Sequence, residues 1–318
     1  MEITTEPSMN MFFSFVMPAY KARFLSEAID SILKQTYQDF ELVIVDDASP
    51  ENLHAVVDQF TDSRIRYAVN EKNIGGHDLV ENWNHCLQMA KGEYVILATD
   101  DDMFEADFLS DVARLIEKYP DADLIRSGVK KIDEKGKVLD EEFPLKEYMT
   151  PRELALFYAK GGTISCVSNY VFRKSALDAI GGFVSFPRAH YSDDATALAL
   201  SIHGVACVPF NHVCFRVSSI NLSNQTSYKV VFEQIRATRM YMAWYRKYIN
   251  QLDTIADDYF KRACYGGYKG RYIAMIENLT SKIPLAKAFS VCCAILSDCQ
   301  LFRKEKCKLI LWYFINKL

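Results

Sequence analysis

The sequence predicts an α/β fold in which a mostly parallel sheet carries helices on both faces. Three observations lead there. Continuous apolar runs of strand type, "FSFVM", "FELVIV" and "EYVILA", recur between stretches with helical spacing. The run–helix alternation is regular across the first 110 residues, as a βαβ succession requires. Each run also halts at a polar mark: "MPAY" after the first, "VDDAS" after the second, "ATDDD" after the third. In a parallel sheet those marks fall on one edge, and ligands bind beyond the carboxyl ends of such strands.

The elements follow in order. Residues 13–17 read as a strand stopped by Pro18. "FLSEAIDSILKQ" places Leu25, Ala28, Ile29, Ile32 and Leu33 on one helical face. "FELVIVDDAS" is a second strand, residues 51–60 a helix, "RIRYAVN" a third strand, and "DLVENWNHCLQMAKG" a helix closed by Gly92. "EYVILA" is the fourth strand. Beyond Glu105 come the helix "FLSDVARLIEKY", the strand "DLIRSGV" and the hairpin turn "DEKGK". A helix over 151–160 follows, then the strand-to-helix text "CVSNYVFRKSAL". "YSDDATALALSIHG" reads as a helix with Ser192 as N-cap and Asp193 and Asp194 in its first turn. The strands "VACVPF" and "VCFRVSSINLS" complete the unit near residue 225, and the rest is basic, aromatic helix.

Composition narrows the field. Half of the 318 residues are hydrophobic and a quarter charged, as in a folded globular chain. A formal net charge of −4 disfavours nucleic acid as a partner. The charge is unevenly spread: residues 226–318 carry 16 Lys/Arg against 7 Asp/Glu, net +9, leaving −13 for residues 1–225. The expected division is therefore 1–225 and 226–318. Nine cysteines, an odd number with no CxxC pair, and no basic leader at the start favour a reduced, cytoplasmic setting. The six histidines lack zinc-ligand spacing. No GxGxxG follows the first strand, which disfavours an NAD-dependent Rossmann enzyme.

Three acidic sites carry the candidate chemistry. Asp46-Asp47 at a strand end either caps the next helix or accepts from a nucleobase or ribose. Asp100-Asp101-Asp102 is a solvated loop or a hard-cation site, since Mg²⁺ and Mn²⁺ are held by one or two carboxylates and substrate phosphates. Asp193-Asp194 is a helix-capping pair or holds a general base.

In order and spacing, "FSFVMPAYKARFLSEAIDSILKQTYQDFELVIVDDAS", "NEKNIGG", "NWNHCLQMAKGEYVILATDDD" and, more loosely, "SDDATALALSIHG…FRVSSINLS" resemble the family 2 glycosyltransferases, inverting enzymes of the GT-A nucleotide-sugar fold. The match is dense over the first 110 residues, weaker to about 225 and absent beyond. The resemblance implies that Pro18, Ala19 and Tyr20 line the nucleoside pocket and that Asp47 accepts from a uracil imide if the donor is a UDP-sugar. It implies that Asn73 and Gly75 lie at the nucleotide loop, Asp100 beside the ribose and diphosphate, and Asp101 with Asp102 at a Mn²⁺ or Mg²⁺ site. Arg216 would neutralise the diphosphate. The base would be Asp193 or Asp194, with the spacing to Gly204 favouring Asp193. Ser218 stands where relatives often carry His, and Ala106 where a proline is common.

The implied reaction is transfer of a sugar from a nucleotide donor to a saccharide or lipid-linked acceptor, as in capsule, O-antigen or lipopolysaccharide assembly. A nucleotide-sugar-binding protein that has lost catalysis is the alternative. The C-terminal third, with "RATRMYMAWYRKYI" and "RKEKCKLILWYFINKL", is a packing or dimerising appendage, or a peripheral contact with an anionic membrane face.

Overall fold

The computed structural model describes residues 11–161, 164–221, 227–252 and 258–317. The strands are β1 (Phe13–Ala19), β2 (Phe40–Asp46), β3 (Ile65–Val69), β4 (Tyr94–Leu97), β5 (Met103–Phe104), β6 (Leu124–Arg126), β7 (Val129–Ile132), β8 (Val138–Glu141), β9 (Tyr148–Met149), β10 (Tyr170–Arg173), β11 (Val205–Cys207) and β12 (Val213–Arg216). The helices are α1 (Leu25–Leu33), α2 (His54–Val57), α3 (Leu79–Leu87), α4 (Phe108–Lys118), α5 (Pro151–Lys160), α6 (Lys174–Ala179), α7 (Ser192–Leu200), α8 (Tyr228–Leu252), α9 (Asp258–Ser281), α10 (Ala288–Leu296) and α11 (Arg303–Ile315).

The chain forms two compact units. One comprises residues up to Thr150, with Ile164–Phe183 and Ala199–Ser218; the other comprises Pro151–Thr163, Val184–Leu198 and Ser219–Leu318. The second thus takes in two stretches from ahead of residue 225, and the 225/226 boundary itself lies outside the described residues.

The first unit holds both sheets. The larger runs β3-β2-β1-β4-β10-β6-β11-β9, and its β3-β2-β1-β4 part is parallel throughout. β10 runs antiparallel to its neighbours β4 and β6, and the two-residue β9 antiparallel to β11. The second sheet runs β5-β12-β7-β8. Every residue of β2 is buried, as expected of a strand covered on both faces. Phe15, Phe40, Phe104 and Phe108 pack as tilted and edge-to-face pairs in its core, and Phe13 packs against Tyr37 and Tyr94. Leu25, Ala28, Ile29 and Ile32 are fully buried, so α1 packs by the face its spacing foretold.

The text "DLIRSGV" is two strands, not one. The chain breaks at Ser127-Gly128, so that β6 joins the large sheet and β7 the small one. A Cβ at Gly128 would meet the Asn211 amide, which is why the crossing needs glycine. The helix expected over 51–60 shrinks to the single turn α2. In the second unit α8, α9 and α5 pack on one another, and α11 lies against α9 and α10.

Candidate functional site

The site begins with a strand that loses one neighbour. β1 pairs with β4 only as far as Val16 opposite Leu97, but with β2 as far as Ala19 opposite Asp46. Pro18 sits just past the point where β4 leaves. Having no N–H, it leaves no donor unmet on the side that opens. The sheet therefore splays at its carboxyl edge, and the acidic triplet diverges from β1 there.

Side chains then lace the strand ends together. One oxygen of Asp100, Oδ2, accepts from the backbone N–H of Tyr20 and of Lys21, both at 2.8 Å. Ser49 Oγ donates to the Tyr20 carbonyl, and Asp47 N–H to the Ala19 carbonyl. With its backbone held, Tyr20 is 40% exposed at the edge, where its ring can meet a planar group. The buried Asp47 organises the next loop: Oδ1 accepts from Ile74 N–H and Asn70 Nδ2, and Oδ2 from Gly75 N–H, each at 2.8 Å. Asn73 Oδ1 in turn accepts from Gly76 N–H. Asp47, Asn73 and Gly75 thus meet in one loop, with Asp47 as its internal acceptor. Ala48, next in sequence, holds the left-handed backbone at φ 50°.

The triplet faces three ways. Asp102 points inward: Oδ1 accepts from Arg216 N–H at 3.0 Å and Oδ2 from Ser168 Oγ at 2.9 Å. Both of its oxygens are thereby engaged, so this carboxylate braces the loop. Asp101, 8% exposed, shares the Thr99 hydroxyl with Asp102. Burial, then the Asp101 charge, pushes the Asp100 carboxyl up to about 6. Burial also raises Asp101 and Asp102, Lys21 and Arg216 only partly offsetting it at Asp101. Three adjacent acids with too little positive charge suit a hard divalent cation that uses one or two carboxylates and completes its shell with phosphate oxygens and water. Among the described residues no group of three or more His, Cys, Asp or Glu is placed to hold a metal ion.

Arg216 lies elsewhere than expected. Its side chain is fully buried: Nε donates to the Asp101 carbonyl at 2.9 Å, Nη1 to the Glu134 carbonyl at 3.2 Å, and Nη2 to Glu27 Oε2 at 2.7 Å. The guanidinium also lies over the Phe24 ring at 4.3 Å. It fastens the triplet to α1 and is not presented to a diphosphate. Four residues that the sequence reading passed over belong to this arrangement: Lys21, Glu27, Thr99 and Ser168. Lys21 alone carried a signal, as a cation directly after "MPAY".

Asp193 and Asp194 lie in the second unit, at the start of α7. Ser192 is the first residue of that helix, and its hydroxyl accepts from Phe186 N–H. Burial, then the Asp194 charge, pushes the Asp193 carboxyl upward. Just ahead, Arg188, Ala189 and Tyr191 all take positive φ (59°, 55° and 69°), a run of strained non-glycine residues of the kind that collects at working sites. Between them His190 has a buried Nε2 with no hydrogen-bond partner, and burial with the nearby Arg188 and Lys282 holds its imidazole neutral, down to about 4. Tyr191 stacks on Tyr241 at 4.6 Å.

The match to known proteins follows this layout. The sequence model of glycosyl transferase family 2 covers residues 14–181, more than half the chain. The chain belongs to glycosyl transferase family 2. Among similar proteins, glycosyltransferase GlyG of Streptococcus pneumoniae is 32% identical over 129 residues, 40% of this chain and 42% of GlyG. The putative glycosyltransferase EpsE of Bacillus subtilis is 29% identical over 57% of this chain and 63% of its own, so the chain spans less than two thirds of either relative. A Campylobacter jejuni protein, GalNAc(5)-diNAcBac-PP-undecaprenol beta-1,3-glucosyltransferase, is 26% identical over 80% of both chains. Staphylococcus aureus TarS 1–349, solved in complex with UDP-GlcNAc, superposes with a TM-score of 0.59 over 96% of this chain and 90% of TarS 1–349, at 17% identity. The fold is therefore the GT-A type of this glycosyltransferase family.

Proposed function

We propose that this family 2 glycosyltransferase moves a sugar, with inversion, from a nucleoside diphosphate donor, a UDP-sugar in the favoured case, to a saccharide or lipid-linked acceptor of a bacterial surface polymer. The observation that carries this reading is the laced strand edge: Asp100 on the Tyr20 and Lys21 amides and Asp47 on the Asn73–Gly76 loop, beside a carboxylate triplet short of positive charge. The Campylobacter jejuni relative, named as a glucosyltransferase of an undecaprenol-linked saccharide, supports it, as does the TarS complex with UDP-GlcNAc.

In this reading Pro18, Ala19 and Tyr20 border the base, with the Tyr20 ring against it. Asp47 and Gly75 set the loop that closes on the nucleoside, and Asp100 meets the ribose. Asp101 would hold Mn²⁺ or Mg²⁺, which when bound draws electron density from the leaving diphosphate; Asp102, expected beside it as a second metal carboxylate, is instead taken up by Arg216 N–H and Ser168 Oγ. Lys21 adds positive charge beside them. Asp193 takes the proton of the acceptor hydroxyl as that oxygen attacks the anomeric carbon and the nucleoside diphosphate leaves. Its raised carboxyl makes it a stronger base than an ordinary aspartate. Catalysis would take place in the cytoplasm.

The test is release of nucleoside diphosphate from a panel of UDP-, GDP- and dTDP-sugars, with a lipid-linked saccharide present. Turnover with one donor, cut about 10²–10⁴-fold in Asp193→Asn while that nucleotide still binds, is the expected result. Ser218, in place of the frequent histidine, favours the second reading, a donor-binding protein without turnover. Nucleotide binding with no release from any donor would establish that second reading.

A further inference from the structure

From the surface of its last two helices, we infer that this chain docks on an anionic lipid bilayer through one face of α11 together with the exposed face of α10. The inference rests on that surface and stands apart from the donor and acceptor proposed above.

On α11 the exposed positions are Arg303, Lys304, Cys307, Lys308, Leu311, Phe314 and Ile315. Steps of one, three or four residues keep them on one side of the helix. The stripe is basic at its start and apolar at its end, where Leu311 and Ile315 are each 61% exposed. The first five of these residues line one open groove. The buried residues, Leu309 and Tyr313, lie on the other side. On the neighbouring α10, Phe289, Cys293 and Leu296 share an exposed face, Phe289 at 83%. Large apolar side chains so exposed on two packed helices are more than the scattered singles of an ordinary surface.

Charge selects the occupant. Residues 282–317 contain seven Lys/Arg and two Asp/Glu. Neither acid faces outward: Asp298 is buried against Arg239 and Tyr272, and Glu305 accepts from Lys269 and caps the Phe302 N–H. Lys282, Lys287, Arg303, Lys304 and Lys308 are all exposed. An apolar stripe bordered by cations alone complements anionic headgroups over acyl chains. A second copy of this chain would bring the same cations against themselves. No single helix among the described residues is long and apolar enough to cross a membrane, and the contact inferred here is interfacial.

The experiment is co-sedimentation of the full chain with phosphatidylglycerol-containing vesicles and with pure phosphatidylcholine vesicles. It is run at low salt and at about 1 M salt, where the screening length falls to about 3 Å. Two variants accompany it, Phe289→Ser/Leu311→Ser and Arg303→Gln/Lys304→Gln/Lys308→Gln; every substituted side chain is exposed, so folding is preserved. Binding to the anionic vesicles alone, reversed by salt, is expected. The triple variant should lose about five-fold in affinity per charge, and the double variant at least about tenfold. The thermal shift with UDP should be the same in all three proteins.

Equal sedimentation with both vesicle types, or full binding by the variants, would overturn the inference. So would a dimer in sedimentation equilibrium that Phe289→Ser/Leu311→Ser dissolves, which would assign the face to a second copy. Vesicle binding without any nucleotide shift would leave this inference standing and remove the proposed donor.

Discussion

Asp47 and Gly75 lie so close that a Cβ on Gly75 would come within 2.9 Å of Asp47 Oδ2, the oxygen that the Gly75 N–H itself bonds at 2.8 Å. The carboxylate cannot easily retreat, because Asn70 and Ile74 hold its other oxygen. Gly75→Ala should therefore displace the loop. Titration calorimetry with the nucleotide that binds should show affinity reduced about tenfold, equal to about 1.4 kcal/mol. The melting temperature should change little, since the loop is partly exposed. Unchanged affinity would mean that this loop does not touch the nucleotide.

Within the triplet, Asp102 is the acid that the Arg216 N–H and the Ser168 hydroxyl hold, and Asp101 is the acid proposed for the metal. Asp102→Ala leaves the Arg216 N–H and the Ser168 hydroxyl without their acceptor and should cost about 1–3 kcal/mol in denaturant unfolding. Asp101→Asn removes a carboxylate that like charges oppose, so stability should hold or rise while metal-dependent nucleotide binding is lost. Equal loss of stability in the two variants would contradict the assignment.

Arg216 offers a second contrast. Arg216→Met buries the same volume but leaves Asp101, Glu27 and Glu134 without their shared donor, and should destabilise the chain by about 3 kcal/mol. Glu27→Gln, at a half-exposed end of that pair, should cost under about 1 kcal/mol. Chemical denaturation of the two variants checks the ordering.

The raised carboxyl of Asp193 gives a pH prediction with a definite sign. An acid whose folded-state value lies above its unfolded one favours folding when protonated, and that contribution is lost as pH climbs from about 4 towards about 7. Asp193→Asn should therefore match the parent near pH 4 and unfold at a higher temperature at pH 8, while turnover falls. This is the trade expected where a carboxylate is kept for catalysis against stability. A parent more stable than Asp193→Asn at pH 8 would show that Asp193 is paired, not strained.

How much of this was legible in the sequence follows from what each feature depends on. The strands β1, β2 and β4 were readable because burial on both faces forces continuous apolar runs, and their ends because polar residues interrupt those runs so abruptly. Asp47 and Asp100 were placed at one edge by that logic, whereas Asn73 and Gly75 came only from the family resemblance. The role of Arg216 was not legible. Its partners come from α1, from the β7–β8 turn and from the triplet, up to 189 residues away, and no spacing rule connects them. The break between β6 and β7 hid in "SG", where either one strand or two fit the apolar pattern. The strained Arg188–Tyr191 stretch was equally silent, since Arg, Ala and Tyr carry no preference for positive φ.

The most direct measurement is thermal unfolding of the chain with UDP, GDP and dTDP, each with and without Mn²⁺, beside Asp101→Asn. At about 100 times the dissociation constant a ligand adds about 2.7 kcal/mol, a plainly visible shift. The account predicts a Mn²⁺-dependent rise with one nucleotide, UDP foremost, that vanishes in Asp101→Asn. No rise with any nucleotide, or a rise that Asp101→Asn retains in full, would contradict the claim that the laced edge and its triplet form the donor site.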